Sequence, residues 1–365
     1  MKLPAVKSRT VQSRTGKSRT VERPTGKRPA VKLATVLTAA AGVLLATSTH
    51  TPAAAAADSL PRLNISAAYV SGVSSGGYMA DQLHVAYSGT FKGAGIFSAG
   101  AYHCARGNLT TAQLACMNDL YDDNPTELRR IASDRSAQGR IDPIANLAGH
   151  KVWLYHGVND ITVKQSVTDG LATFHQGFGA NVAYSKTSPA GHAWVSPLGP
   201  NPCSATYTPY VNKCTDDPQG SMLRHLLGTV AAPASTPTGT LLRYDQNPYA
   251  PNGSAAAISM GATGFAYVPQ NCAAGTSCRL MVALHGCQQG YDTIGTTFVT
   301  RSYLNEYADT NNLVVLYPQA TASSWTGGNP QGCWNWWGYG GDTAYDMKGG
   351  KQIETLMRMV RAVGA

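Results

Sequence analysis

Short apolar and β-branched runs recur along the chain and alternate with segments that have a helical spacing of apolar positions. Six runs have the length of strands, at residues 65–74, 93–100, 152–160, 182–188, 280–286 and 313–319. Helices are predicted between and after them, at residues 76–88, 125–135, 163–176, 219–227, 296–311 and 348–362. This alternation predicts an α/β fold with a mostly parallel sheet that helices cover on both faces.

The first 57 residues do not follow this pattern. Residues 1–32 are basic and contain the triplet SRT three times, and an apolar stretch at 33–47 and a run of small residues at 52–59 follow. This is the layout of a secretory signal peptide. The apolar core is shorter than the roughly 20 residues of a membrane-spanning helix. We therefore expect cleavage near Ala57 and no stable membrane anchor, with an uncleaved signal anchor as the alternative.

The excess positive charge of the chain lies in this predicted signal peptide. The formal net charge is +9, and residues 1–32 hold ten Lys and Arg side chains against one acid. The rest of the chain is balanced, so its charge indicates no nucleic-acid partner. Residues 58–365 are enough for one large domain or two small ones. The Ala-, Pro- and Thr-rich segment 229–239 either separates two domains or joins two parts of one.

All eight cysteines follow the leader, and an even number in an exported chain favours disulfides. The connectivity does not follow from the sequence, because eight cysteines allow many pairings. Close spacing suggests three pairs and leaves a fourth: Cys104 with Cys116, Cys203 with Cys214, Cys272 with Cys278, and Cys287 with Cys333. A zinc site is the alternative, but the chain has no CxxC pair.

The stretch AYVSGVSSGGYMA contains the pattern G-x-S-x-G with Ser74 at its centre. It follows an apolar run and precedes a predicted helix, which is the strand–turn–helix setting of a nucleophile elbow. Gly72 and Gly76 leave room for a tight turn that presents the Ser74 hydroxyl, and the helix N-terminus adds positive potential beside it. The alternative is an ordinary surface turn rich in Gly and Ser.

A serine nucleophile needs a base, and the base needs an acid that orients it. Asp160 in YHGVNDITV and His192 in SPAGHAWVSP each follow a predicted strand. Taken singly, Asp160 could be a turn residue or helix cap, and His192 a solvated loop histidine. The order Ser74, Asp160, His192 is that of α/β-hydrolases, and loops after parallel strands are where ligands bind. The sequence therefore predicts a catalytic triad.

The segment VALHGCQQ, residues 282–289, has the form of a loop that supplies an oxyanion-hole amide in serine esterases. In α/β-hydrolases this loop precedes the nucleophile, whereas here it follows Ser74. Moving residues 240–365 in front of 60–228 restores the usual order. The sequence thus predicts a circular permutation in which 229–239 joins the original termini.

The permutation has two geometric consequences. Residues near Leu60 should lie close to Ala365, and the strands of 240–365 should share one sheet with the strand before Ser74. A two-domain protein divided at 229–239 would instead have two separate sheets.

The motifs VSGVSSGGYMA, HGVND, AGHAW, VALHGCQQ, LYPQ and CWNWW together resemble those of polyhydroxybutyrate depolymerases and of their feruloyl- and acetylxylan-esterase relatives. The permuted order is similar to that of the single-domain depolymerases, and the resemblance covers nearly all of 60–365. It implies Ser74, Asp160 and His192 as the triad and the amides of Ser75 and Cys287 as the oxyanion hole. It also implies that the aromatic segment lines a polyester cleft, with Trp334, Trp336 and Trp337. Core packing beside a bridge from Cys287 to Cys333 is the alternative for these tryptophans, and we expect some of them to be buried and at least one to face substrate.

The signal-peptide layout predicts a secreted protein, extracellular or else periplasmic. The resemblance implies an enzyme that hydrolyses poly(3-hydroxybutyrate) through an acyl-enzyme. Polyester is the expected partner, and this chemistry needs neither a metal nor an organic cofactor. One alternative is a feruloyl or acetylxylan esterase with the same triad. Another is a secreted polymer-binding protein with an inactive site. The oligomeric state is left open.

Overall fold

The computed structural model describes residues 59–121, 124–324 and 328–365. The predicted signal peptide, residues 1–57, lies outside these ranges. The strands in chain order are β1 Ile65–Val73, β2 Phe91–Phe97, β3 Lys151–Tyr155, β4 Asn181–Ser185, β5 Trp194–Val195, β6 Asn201–Pro202, β7 Val211–Lys213, β8 Thr240–Asp245, β9 Thr263–Val268, β10 Cys278–Leu284 and β11 Leu313–Tyr317.

The helices surround these strands. In chain order they are α1 Ser75–Ala86, α2 Leu109–Leu114, α3 Pro125–Ala137, α4 Gln165–Gln176, α5 Pro218–Leu227, α6 Gln270–Ala273, α7 Tyr291–Ile294, α8 Thr297–Arg301, α9 Leu304–Thr310 and α10 Lys351–Val363. Short 3₁₀ turns lie at Ile144–Leu147, Asn247–Tyr249, Pro251–Gly253, Ala256–Ile258 and Tyr339–Gly341. None of the helices in the described ranges is both long and apolar enough to cross a membrane.

An eight-stranded sheet with the order β4-β3-β2-β1-β10-β11-β9-β8 forms the centre of the fold. The six strands from β4 to β11 in this order are parallel, whereas β9 and β8 pair antiparallel at one edge. The predicted mostly parallel α/β fold is therefore confirmed. A small second sheet has the order β5-β7-β6.

Apolar side chains fill the space on both faces of the large sheet. Successive residues of β10 show this: Leu280 and Val282 belong to one buried cluster, Met281 and Ala283 to the other. Helices α1, α4 and α10 contribute to the first cluster, and α5 and α9 contribute to the second. Because both faces are covered, the central strands are continuous apolar runs rather than alternating ones.

All six predicted strands are present with shifts of a few residues at their ends. The predicted helix 296–311 is instead two helices, α8 and α9, because Tyr303 between them has a left-handed backbone with φ 64°. Tertiary contacts explain the break: the indole N–H of Trp194 donates to the Ser302 carbonyl at 3.0 Å, and the Ser302 hydroxyl bonds the Tyr317 hydroxyl. The antiparallel strands β8 and β9 were not predicted.

Both geometric consequences of the permutation are found. Strand β1 pairs with β10 from the second half of the chain, from Ile65 opposite Cys278 to Gly72 opposite Leu284. The amide of Leu63 donates to the carbonyl of Val363 at 2.7 Å, so the start and the end of residues 60–365 meet. The two separate sheets expected of a protein divided at 229–239 are not what the described residues form, since both halves build the large sheet.

Segment 229–239 crosses the surface in contact with α9 and the residue that follows it. The Ala234 amide donates to the Glu306 carbonyl at 2.8 Å, and the Thr238 amide donates to the Asp309 carboxylate at 2.9 Å. The three cysteine pairs suggested by close spacing and the remaining fourth pair are all disulfides in the structure: Cys104–Cys116, Cys203–Cys214, Cys272–Cys278 and Cys287–Cys333.

The proximity of Leu63 and Val363 makes the permutation testable. A rearranged chain that begins at Gly239, joins Ala365 directly to Leu60 and ends at Gly228 is expected to fold, because each strand keeps its neighbours. Far-ultraviolet circular dichroism and a single cooperative thermal transition are the measurements. The matched control is the same rearrangement with new termini inside β10, which should not fold. If the two rearranged chains behave alike, the permutation is wrong.

Candidate active site

Ser74 lies in the turn between β1 and α1 with φ 56° and ψ −124°, a backbone conformation that non-glycine residues rarely adopt. Its amide donates to the Phe97 carbonyl of β2 at 3.0 Å, which holds the turn against the sheet. A Cβ at Gly76 would lie 2.3 Å from the carbonyl oxygens of Leu284 and His285. A side chain at Gly76 would therefore push the turn away from β10, and the predicted elbow depends on this glycine.

Asp160 and His192 follow β3 and β4 and meet at the same end of the sheet as Ser74. The Asp160 Oδ2 and the His192 Nδ1 are 2.7 Å apart, and both side chains are buried. The other carboxylate oxygen accepts hydrogen bonds from the amides of Thr162 and Val163 at 2.9 and 3.0 Å. Burial alone would raise the pKa of Asp160, but the His192 imidazole and the Val163 amide outweigh it and lower the pKa below its ordinary value.

The ionised Asp160 fixes how His192 can act. Since Nδ1 is held by the carboxylate, Nε2 is the nitrogen left to exchange a proton. The His192 backbone is held as well, because its amide donates to the Thr206 hydroxyl at 3.0 Å. His192 and Ser74 line the same cleft. By contrast, His156 is buried and bonds the Val163 carbonyl at 2.9 Å, as expected of a packed histidine.

The segment predicted to hold an oxyanion donor lies beside the serine. A Cβ at Gly286 would be 3.4 Å from the Ser74 Cβ. Among the described residues, neither the Ser75 amide nor the Cys287 amide donates a hydrogen bond within the chain. Both donors are therefore available to a ligand, and the Ser75 amide also lies at the N-terminus of α1, where the helix dipole is positive.

Gln289, which the sequence analysis did not single out, holds this loop in shape. Its side-chain oxygen accepts from the Gly286 amide at 2.6 Å, and its NH₂ donates to the carbonyls of Pro209 and Tyr210 at 3.1 and 2.7 Å. Gln289 is thus buried with its amide satisfied at both ends. Its place in the quoted HGCQQ motif was the available signal, but nothing in the sequence pointed to Pro209 and Tyr210.

His285 at the start of this loop is fully buried, and one of its ring nitrogens donates a hydrogen bond while the other accepts one. Its Nδ1 is 2.6 Å from the Gly286 carbonyl and must donate, while its Nε2 accepts from the Ala320 amide at 3.1 Å. This pattern requires the neutral imidazole. Burial lowers the pKa of His285 to about 4, so the ring stays neutral near neutral pH.

The disulfide between Cys287 and Cys333 ties the loop to the aromatic segment. Trp334 is fully buried, its indole N–H donates to the His285 carbonyl at 3.0 Å, and it does not line the cleft. The expectation that Trp334 contacts substrate is therefore wrong, because the loop itself uses its polar group. Trp336 and the more exposed Trp337 do line the cleft.

The cleft has a volume of about 470 Å³ and is lined mainly by apolar atoms. Trp336 forms one wall and stacks on Tyr78 of α1 with ring centroids 3.9 Å apart. Leu109 and Met117, in and after α2, form another part of the wall. Tyr78 lies one helical turn after Ser74, so its position was readable from the motif. No local pattern indicated the segment that carries Leu109 and Met117.

The chain is similar to known proteins over most of its length. No family model matches the chain. A poly(3-hydroxybutyrate) depolymerase from Delftia acidovorans is 41% identical over 320 residues, which cover 85% of this chain but only 62% of that protein. A polyhydroxybutyrate depolymerase from Talaromyces funiculosus is 39% identical over 327 residues, which cover 84% of this chain and 93% of that protein.

Solved structures of such enzymes have the same fold. The crystal structure of the PHB depolymerase from Penicillium funiculosum superposes with a TM-score of 0.75 at 37% identity and covers 84% of this chain and 98% of that one. A second structure, of a PHB depolymerase with a serine replaced by alanine and complexed with an R3HB trimer, matches with the same values.

The buried neutral His285 predicts how stability depends on pH. Between 6.5, the ordinary pKa, and about 4, the unfolded chain binds a proton at this histidine that the folded chain does not. The free energy of unfolding should therefore fall as the pH falls through this window, by roughly 2 kcal/mol or more for this group. In His285→Gln, which keeps a donor and an acceptor, this part of the pH dependence should be absent.

Guanidinium unfolding across that window measures the effect, and His225→Gln, at a partly exposed histidine, is the matched control. Equal pH dependence in the wild type and in His285→Gln would contradict the assignment.

Proposed function

The chain belongs to the polyhydroxybutyrate depolymerase family, and we propose that it is a secreted serine esterase that hydrolyses poly(3-hydroxybutyrate). The observation that carries this proposal is the buried pair of Asp160 and His192 at the edge of an apolar cleft that Ser74 also lines. An R3HB trimer is bound in the structure of a related depolymerase, which supports a polyester as the substrate. Four disulfides support export, because such bonds persist in oxidising compartments.

In the proposed domain organisation, a signal peptide at 1–57 precedes one catalytic domain at 58–365. Segment 229–239 joins the original termini of that domain. The contact between Leu63 and Val363 and the shared sheet support this arrangement.

The first half of the reaction forms an acyl-enzyme. The Ser74 hydroxyl attacks the ester carbonyl while His192 Nε2 takes its proton, so a tetrahedral intermediate and an imidazolium form together. Asp160 stabilises the imidazolium and keeps Nε2 directed at the hydroxyl. The lowered pKa of Asp160 keeps the carboxylate ionised for this role throughout the neutral range. The intermediate collapses when His192 returns the proton to the departing hydroxyl of the polymer.

The amides of Ser75 and Cys287 are the proposed oxyanion donors. Each N–H lacks an acceptor among the described residues, and each lies where Ser74 and Gly286 approach one another. Removing one such donor typically costs about 3 kcal/mol of transition-state stabilisation. The loop that carries Cys287 is held by Gln289, His285 and the disulfide to Cys333, so the donor is positioned before substrate binds.

The second half releases the acid. Water attacks the acyl-enzyme as His192 takes its proton, and the same oxyanion donors stabilise the second intermediate. Collapse of this intermediate breaks the bond to the Ser74 oxygen, which takes the proton back from His192. A shortened polymer, an oligomer or 3-hydroxybutyrate leaves with a free carboxylate.

The cleft walls suit a chain of methyl-bearing ester units. Trp337 and the Trp336 ring that stacks on Tyr78 offer flat apolar faces, and Leu109 and Met117 line the cleft as well. Trp336 and Trp337 are the residues we assign to substrate binding.

The first experiment measures release of soluble 3-hydroxybutyrate from poly(3-hydroxybutyrate) by the secreted protein. Ser74→Ala should reduce this release by about 10⁴-fold or more and leave the circular dichroism spectrum unchanged. Feruloyl and acetylated xylan esters are assayed in parallel. Hydrolysis of the plant esters alone would keep the triad but replace the substrate, and near wild-type activity of Ser74→Ala would refute the mechanism.

A second experiment tests the role of the disulfide at the cleft. Replacing both Cys287 and Cys333 by Ser frees the loop that carries an oxyanion donor, so turnover should fall on the order of 10²-fold. The folded yield should fall less than turnover. The matched control replaces Cys272 and Cys278 by Ser, since this disulfide does not line the cleft. Equal losses of turnover in the two double variants would argue against a positioning role.

A further inference from the structure

Three titratable side chains meet inside the protein on the helix that follows Ser74. Asp81 and His84 are one turn apart on α1, and His175 lies in the last turn of α4. All three are fully buried. One nitrogen or oxygen from each of them lies within 4.8 Å of those of the other two. None of these residues lines the catalytic cleft, and the proposed reaction does not use them.

The hydrogen bonds within this cluster leave half of its polar atoms without partners. His175 Nε2 and Asp81 Oδ1 are 2.6 Å apart, and His84 Nε2 is 3.1 Å from Nδ1 of the half-buried His150. Three atoms have no hydrogen-bond partner among the described residues: Asp81 Oδ2, His84 Nδ1 and His175 Nδ1. An ordinary ion pair of Asp81 with His175 would account for only one oxygen and one nitrogen of the cluster. The other carboxylate oxygen, Asp81 Oδ2, would stay buried without a hydrogen bond, which costs free energy of folding.

We propose that Asp81, His84 and His175 form a structural binding site for a divalent transition-metal ion, with Zn²⁺ as the ion that fits best. Two imidazoles and a carboxylate are ligands that Zn²⁺ accepts. The distances between their ligand atoms are also compatible with a tetrahedral site. With metal–ligand distances of about 2.0 to 2.2 Å, neighbouring ligand atoms are about 3.3 Å apart. This value lies between the 2.6 Å contact of His175 with Asp81 and the 4.8 Å limit of the cluster.

The ion would replace the proton that His175 shares with Asp81. Metal binding displaces that proton to solvent. Asp81, His84 and His175 supply three ligands, and the fourth tetrahedral position is open to a water molecule. His84 Nδ1, which has no hydrogen-bond partner among the described residues, is the nitrogen of that imidazole left to bind the ion.

The place of the site in the fold indicates what the ion would do. Helix α1 carries Ser74 at its N-terminal end, and α4 packs on the same face of the sheet. A metal held by both helices would link α1 to α4 and resist their separation. The expected benefit is stability of the helix behind the nucleophile, and the ion is too deeply buried to reach a substrate in the cleft.

The test measures metal directly, so its result does not depend on the esterase assay. The full-length protein is secreted from a host grown with Zn²⁺, purified without chelators, and analysed for metal by mass spectrometry. In parallel it is unfolded in guanidinium with its disulfides intact and refolded with Zn²⁺, with Co²⁺ or with a chelator, which gives a buried site access to metal. About one ion per chain, intense visible bands of tetrahedral Co²⁺ and a higher melting temperature with Zn²⁺ than with chelator are expected.

Two histidine variants distinguish a metal site from an ordinary buried ion pair. In His175→Gln the side-chain amide can still donate to Asp81, but the imidazole ligand is lost, so metal content and the Co²⁺ bands should disappear. His150→Gln is the matched control, because His150 bonds His84 but lies outside the cluster of three. It should retain the metal.

Two outcomes would overturn the proposal. One is wild-type protein that holds no stoichiometric metal either as secreted or after refolding with Zn²⁺. The other is equal metal content in the wild type and in His175→Gln.

Discussion

The pairing of β1 with β10 is the constraint on which the rest of the active-site end depends. These parallel strands come from opposite halves of the chain and are aligned from Ile65 opposite Cys278 to Gly72 opposite Leu284. Parallel neighbours end at the same edge of a sheet, so the turn that carries Ser74 and the loop that carries Cys287 emerge together. The contact is close enough that Gly76 has no room for a side chain against the Leu284 carbonyl.

The order of the neighbouring strands also brings together the other side chains of the proposed triad. The sheet order β4-β3-β2-β1-β10 brings the loops after β3 and β4 to the edge where β1 ends. Asp160 and His192 lie in those loops and approach to 2.7 Å, although 32 positions separate them in the chain. The proposed triad is thus a product of strand order, and segment 229–239 does not disturb it because this segment crosses outside the sheet.

Rigidity at this edge comes from side-chain contacts that hold the loop carrying Cys287 in place. The Trp334 indole and the Gln289 side chain each bond backbone groups of this loop, the proposed oxyanion loop, and the disulfide to Cys333 joins it to the cleft wall. The neutral His285 also holds the loop, because its ring donates to the Gly286 carbonyl and accepts from the Ala320 amide. Each contact fixes a backbone position in advance, which is what an oxyanion donor needs if it is not to reorganise during the reaction.

The sequence by itself predicted the six parallel strands, the elbow around Ser74, the loops after strands that carry Asp160 and His192, and three short-range cysteine pairs that leave Cys287 with Cys333. These features are written in local patterns: apolar runs, a glycine-rich turn, loops after strands, and cysteines that are mostly close along the chain. Tertiary structure alone determined the break between α8 and α9 at Ser302, whose carbonyl accepts a hydrogen bond from Trp194. It also determined that Trp334 is buried. It also determined that Leu109 lines the cleft and that His175 contacts Asp81. The reason is physical, since each of these depends on a partner distant in sequence, and no periodicity within one segment records which distant group will satisfy its polar atoms or cover its apolar face.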